Sequence, residues 1–268
     1  MKRIVLCADD FGQALHISSG ILELVKQGRL SAVSCMVNSP DWPDHAARLL
    51  PFREQIDIGL HLNLTEGKPL ALAFQKAHGN SFSALPKLLQ KAFLGRLDRQ
   101  ALVAEFHAQI DKFAAEMGFL PQFIDGHQHV HQFPGVREAL IEVYQARLRG
   151  HAYVRLVNVQ RNLELKRWII YLTGTAALQR LLHLHKIPHN QSFAGIYEFS
   201  LSGQYKRLFP LFLKQSADQG MIMCHPGHLA EAGDNIAKAR FEEFQYFTSE
   251  QFLTDCSQQQ AAIQRFSC

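Results

Sequence analysis

Residues 3–12 read RIVLCADDFG, an unbroken apolar run that stops at a pair of carboxylates, Asp9 and Asp10. A short run without polar alternation is the pattern of a strand buried on both faces, as in parallel sheets whose two sides are covered. The carboxylates stand at its C-terminal end, the edge at which α/β folds place their chemistry. Neighbouring strand residues point to opposite sides, so the doublet is expected to divide its roles, one carboxylate ligating a cation and the other acting as a general base. An acidic pair also offsets a helix dipole, and a cap on the helix expected over residues 14–27 is the alternative reading.

The rest of the chain repeats that rhythm. Residues 30–38 read as a second strand and 40–50 as a helix with Pro43 near its start. Residues 56–64, IDIGLHLNL, alternate as a third strand, with His61 on a face that Gly59 clears for something to approach. Residues 65–83, with Gly67, Pro69, Gly79 and Asn80, read as a loop facing substrate. Helices are expected over 84–95 and 98–118, the second capped by Asp98, and over 136–147. A strand at 152–157 presents Arg155, which suits a substrate hydroxyl, a carboxylate to be oriented, or a surface ion pair. Residues 164–185 and 203–219 read as helical. Residues 220–224 form a last buried strand ending in His225-Pro226-Gly227-His228, and a closing helix is expected over 246–266 with Ser249 as its cap. Strands alternating with helices predict an α/β fold with a mostly parallel sheet in one domain, residues 1–268.

Residues 123–133, FIDGHQHVHQF, place Asp125, His127, His129 and His131 at two-residue spacing. On a strand they would share one face. Side chains there repeat every ~6.6 Å, so an ion with ligand bonds of about 2.0–2.2 Å can take one or two of them and must find the others elsewhere. In a helix, His127 and His131 would still converge.

The chain has 268 residues, 47% hydrophobic, with a formal net charge of +4 and 14 histidines. Its Lys and Arg residues are scattered, which makes no case for nucleic acid. Cys7, Cys35, Cys224, Cys256 and Cys268 are odd in number and form no C-x-x-C pair, so reduced thiols in a cytoplasmic setting are expected. No leader-type apolar segment stands at the start, and the best candidate for a membrane span, residues 168–184, is interrupted by Gln179 and Arg180. No phosphate-cradling glycine motif and no internal repeat appears.

In order, ADDFG at 8–12, GLHLNLT at 59–65, DGHQHVH at 125–131 and HPG at 225–227 resemble the YdjC-type carbohydrate deacetylase family, which includes chitooligosaccharide deacetylases and hopanoid-biosynthesis-associated members. The continuation Gly227-His228 looks closer to the latter branch. The resemblance implies a deformed (β/α) barrel, mostly parallel strands with surrounding helices, that binds a divalent cation, magnesium or zinc. It also implies a homodimer and removal of the N-acetyl group from an amino sugar. Position by position, it implies Asp10, His61 and His127 as metal ligands, Asp9 as general base and His225 as general acid. His129 and His131 fall where the family also has histidines, and with Arg155 they are taken as substrate contacts. Amide hydrolysis needs an activated water, a stabilised oxyanion and a protonated leaving amine, which a cation, a carboxylate and a histidine can supply. The rival readings are a two-metal phosphoesterase or amidohydrolase built on His127, His129 and His131, and a metal-dependent sugar-binding protein without turnover.

Overall fold

The computed structural model describes residues 1–158, 172–229 and 233–266. Among them the first strand, β1 (Lys2–Phe11), is the centre of a wholly parallel sheet. β2 (Ala32–Cys35), β3 (Asp57–Leu62), β4 (Phe123–Gly126) and β5 (Tyr153–Val154) follow on one side. β7 (Gly220–Cys224) and β6 (Phe193–Ala194) lie on the other, and β8 (Ala261–Ile263) pairs with the start of β1. The two edges approach each other through single bonds instead of a ladder. Val154 bridges His189, and the Asn190 side chain exchanges hydrogen bonds with Leu156, accepting at 2.8 Å and donating at 2.9 Å. The sheet is therefore curled into a deformed barrel.

The unbroken apolar run at 3–8 has its reason in two cores. Ile4, Leu6 and Ala8 pack outward among the helices. Val5 and Cys7 point into the curl, where they meet Phe123, Tyr153, Phe193, Met221 and Met223 from four other strands. The helices on the outer face include α1 (Leu15–Lys26), α2 (Trp42–Leu49), α3 (Leu72–His78), α4 (Leu85–Phe93), α5 (Arg99–Met117) and α6 (Val136–Arg147). α7 (Thr175–Leu184), α8 (Tyr205–Gln215), α9 (Ala237–Thr248) and α10 (Glu250–Gln258) complete them. Asp98 caps α5 as expected, accepting from the Ala101 N–H at 2.8 Å.

Four expectations change. The histidine-rich stretch is a strand only as far as Gly126. His127–Gln132 is a tight 3-10 turn, with Gln128 and His129 at φ of 52° and 59°, so its histidines do not share a strand face. The segment 65–83 holds a helix, α3, braced by Glu105, whose carboxylate accepts from the N–H groups of Leu70 and Ala71. The closing helix expected over 246–266 is shorter: Ser249 stands extended at the N-cap position of α10 without a side-chain cap bond, α10 ends at Gln258, and the chain then returns to the sheet as β8. The expected helical segment 164–185 falls in part outside the described residues. Finally, the space beside Gly59 is filled: a Cβ there would meet the Phe123 ring at 2.5 Å, so the glycine admits a core phenyl group and nothing from outside.

Candidate metal centre and active site

Because every strand runs the same way, their C-terminal ends collect at one rim. Above the inward layer of Cys7, Phe123 and Tyr153 stands the next inward layer, Asp9, Asp125 and Arg155. His61 and Asp125 are register partners on β3 and β4, which puts the imidazole Nδ1 2.6 Å from the carboxylate. Regular pleating would send Asp10 to the outer face. The pairing of β1 with β2 slips between Ala8 and Phe11, and Asp10 takes a left-handed φ of 67°, a conformation that a short polar side chain tolerates. The bulge re-aims the second carboxylate, so both aspartates line one pocket of ≈ 950 Å³.

Asp10, His61 and His127 offer ligand atoms that all lie within 4.8 Å of one another, and all three side chains are buried. The far nitrogen of each histidine is engaged by a carboxylate. His61 Nδ1 donates to Asp125 Oδ1, which also accepts from Ser34 Oγ at 2.5 Å, and His127 Nε2 lies 3.0 Å from Glu66 Oε1. Each near nitrogen then faces the same oxygen: His127 Nδ1 is 3.0 Å from Asp10 Oδ1, and His61 Nε2 is 3.4 Å from it. This is the outer-shell arrangement that fixes the tautomer of metal-ligating histidines. Burial opposes charge on both rings, yet Asp125, Asp9 and Asp10 outweigh it at His61, holding its pKa up at about 10. At His127 Asp10 and Glu66 do the same, to about 9. The site thus draws in two positive charges, which a divalent cation carries by itself, and the donor set of one carboxylate and two imidazoles fits such an ion.

Asp9 sits beside this group but is engaged differently. Arg155 grips it as a fork, with Nη1 2.7 Å from Oδ2 and Nη2 2.6 Å from Oδ1, and Arg155 outweighs burial to hold the carboxyl below its ordinary range. Cys7, Asp9 and Asp125 form a second group of potential ligands, but the Arg155 guanidinium already supplies its positive charge, pairing with Asp125 at 2.6 Å. His225, just past β7, lines the same pocket; its backbone N–H donates to Glu243 and its ring meets Phe199 edge-on. Burial pushes its pKa down to about 4 despite Asp10 and Asp9, so the ring is neutral at pH 7.

The sequence profile of the YdjC-like proteins matches residues 3–258. The chain belongs to the YdjC-like protein family. A carbohydrate deacetylase of Clostridium beijerinckii is 25% identical to it over 256 residues, 94% of this chain and 93% of the relative. The carbohydrate deacetylase of Mus musculus is 37% identical over 155 residues, 54% of this chain and 47% of the mouse protein. A chitooligosaccharide deacetylase of Yersinia pestis is 35% identical over 136 residues, 50% of this chain and 53% of the relative. The chain thus spans about half the length of the mouse and Yersinia relatives that it matches. A crystal structure of an Enterococcus faecalis protein, provisionally described as a cellobiose-phosphate cleavage protein, has the same fold, with a TM-score of 0.76 at 17% identity over 99% of this chain and 98% of that one.

Not every expected site residue of this YdjC-like chain reaches the pocket. His129 does, edge-on to Phe193. Arg155 and His131 are fully buried. The guanidinium of Arg155 is turned to Asp9, Asp125 and Cys7, and His131 Nε2 donates to the Arg155 carbonyl at 3.0 Å. Both are absent from the pocket lining, and of the readings open to Arg155 the one that fits is orientation of a carboxylate. Glu66, Arg240 and Glu243 were not singled out from the sequence. Glu66 follows Asn63, whose side chain accepts from the N–H groups of Thr65 and Glu66 and so fixes the turn. Arg240 Nη2 donates to Asp10 Oδ2 at 2.7 Å, and its Nε donates to Asp234 at 2.8 Å. Their signal is charge on the inward side of a helix: Ala239, Arg240, Glu243, Tyr246 and Phe247 are the buried residues of α9.

Proposed function

We propose that this chain is a metal-dependent hydrolase that removes the N-acetyl group from an N-acetylated amino sugar, carried on an oligosaccharide or a glycolipid. The observation that carries the reading is the convergence of Asp10, His61 and His127, beside the Arg155-held Asp9 and the neutral His225, at the base of one large pocket. The names of the relatives point the same way.

Asp10, His61 and His127 would hold the cation. Two imidazoles and a carboxylate suit zinc, or another transition ion, better than magnesium, which prefers oxygen ligands and retains its waters. A bound divalent cation lowers the pKa of water towards ~7 and polarises the acetyl carbonyl. Asp9, ionised under Arg155, accepts the proton of the attacking water. His225 starts neutral, takes up a proton from solvent as negative charge builds on the tetrahedral intermediate and gives it to the departing amine, and the proton held by Asp9 returns to solvent as the acetate leaves. Arg155 keeps Asp9 aimed, and the apolar wall of Ile17, Leu85, Ile196, Phe199 and Met223 excludes water around the acyl group.

Acetate release from N-acetylglucosamine, its disaccharide and a lipid-linked glucosamine, on protein of counted metal content, tests the reading. Release abolished by a chelator and restored by zinc is expected, and Asp9→Asn should keep the metal and lose about 10²–10⁴-fold in kcat. No acetate from any of the three by metal-loaded protein would sink the substrate class.

A further inference from the structure

Five side chains from four stretches of the sequence close a hydrogen-bonded ring around one half of the candidate metal centre. Asp10 Oδ1 meets His127 Nδ1 at 3.0 Å, and His127 Nε2 meets Glu66 Oε1 at 3.0 Å. Glu66 Oε2 accepts from Gln13 Nε2 at 2.6 Å, Gln13 Oε1 accepts from Arg240 Nη2 at 3.1 Å, and the same Nη2 returns to Asp10 Oδ2 at 2.7 Å. The ring is anchored from behind. Asn63 binds both the N–H and the carbonyl of Glu66, Gln109 clamps the backbone of Asn63 on both sides, and Glu105 holds Gln109 at 2.9 Å. Asn63, Glu105 and Gln109 are fully buried, so the loop that carries Glu66 has a fixed polar footing.

We propose that Glu66 and Gln13 are positioning residues for the metal centre: Glu66 keeps the proton of His127 on Nε2 and its lone pair on Nδ1, and Gln13 ties that carboxylate to the arginine that orients Asp10. The inference rests on the reading of Asp10, His61 and His127 as ligands. Glu66 is suited to this task because its side chain is 42% exposed and stands at the pocket wall, so removing it opens no core cavity. A ligating histidine whose outer nitrogen loses its carboxylate partner typically binds metal 10–100-fold more weakly.

The test is a competition titration of Zn²⁺ into the metal-free 268-residue chain against a chromogenic chelator, with the absorption spectrum of the Co²⁺ form and the melting temperature of the metal-free form recorded alongside. Glu66→Ala should bind Zn²⁺ about 10–100-fold more weakly, with a shifted Co²⁺ spectrum and a metal-free melting temperature close to that of the wild type. Glu66→Gln, whose amide oxygen can still accept from His127, should recover much of the loss, and Gln13→Ala should lose less than Glu66→Ala. Affinity of Glu66→Ala within about threefold of the wild type would overturn the proposal. So would a metal-free melting temperature that falls in step with the affinity, since that is a structural role only. Asp10→Asn separates the metal site from the residues that support it. If Asp10→Asn binds Zn²⁺ as tightly as the wild type, or the wild type binds none, the metal-site reading fails and this inference with it. If Asp10→Asn is weak and Glu66→Ala is not, only the present inference fails.

Discussion

At the residue scale the two adjacent aspartates are the clearest case of one residue type made to do unlike things by its surroundings. Both are buried, and both are held ionised, Asp9 by Arg155 and Asp10 chiefly by Arg240 with His127. The histidines facing Asp10 give a pH dependence that can be checked. In the metal-free protein His61 and His127 hold their protons up to about 10 and about 9, against an ordinary value of 6.5. Between these limits the native state binds more protons than the unfolded chain, so stability is fully present below pH 6.5 and is lost as pH rises. Each imidazole contributes up to about 1.4 kcal/mol per pH unit in that window. The melting temperature of metal-free protein should therefore fall from pH 7 towards pH 9, and saturating zinc should remove most of the slope by displacing those protons. A flat or rising metal-free profile would contradict the arrangement.

At the scale of elements, the strand that carries Gly59 and the helix that Asp98 caps make contrasting predictions. Gly59→Ala drives a methyl group into the Phe123 ring, in a core with no space to yield, and should lower stability by about 1–3 kcal/mol. Asp98→Ala removes one cap and should cost about 1 kcal/mol, leaving turnover unchanged because neither Asp98 nor its partner Ala101 lines the pocket. Denaturant midpoints at an unchanged slope distinguish both from a change in compactness. These elements also show what the sequence discloses. β1, β7 and α6 announce themselves, because continuous apolar runs and helical periodicity are local properties, and the strand-end carboxylates and histidines come with them. The turn at His127–Gln132 does not, since two-residue spacing suits a strand until left-handed Gln128 and His129 break it. Nor does the pairing of Glu66 or Arg240 with the site: an acid in a polar turn looks like solvated surface, and the inward spacing of Arg240 on its helix does not say which distant group it will meet.

At the scale of the whole molecule, a single geometric fact gathers the site. A sheet whose strands are all parallel brings residues 9, 61, 125 and 225 to one rim, although they are spread over most of the chain. The ring of Asp10, His127, Glu66, Gln13 and Arg240 is stitched across that rim from β1, three loops and α9. A closed circuit breaks only once. After Glu66→Ala the Gln13 amide has no carboxylate to hold, so adding Gln13→Ala should weaken zinc binding far less than the sum of the two single changes, a coupling that a double-mutant cycle measures. The same circuit constrains how this sequence can drift: the first loss at position 13 or 66 is the costly one, and a chain that abandons one has already lost most of its reason to keep the other.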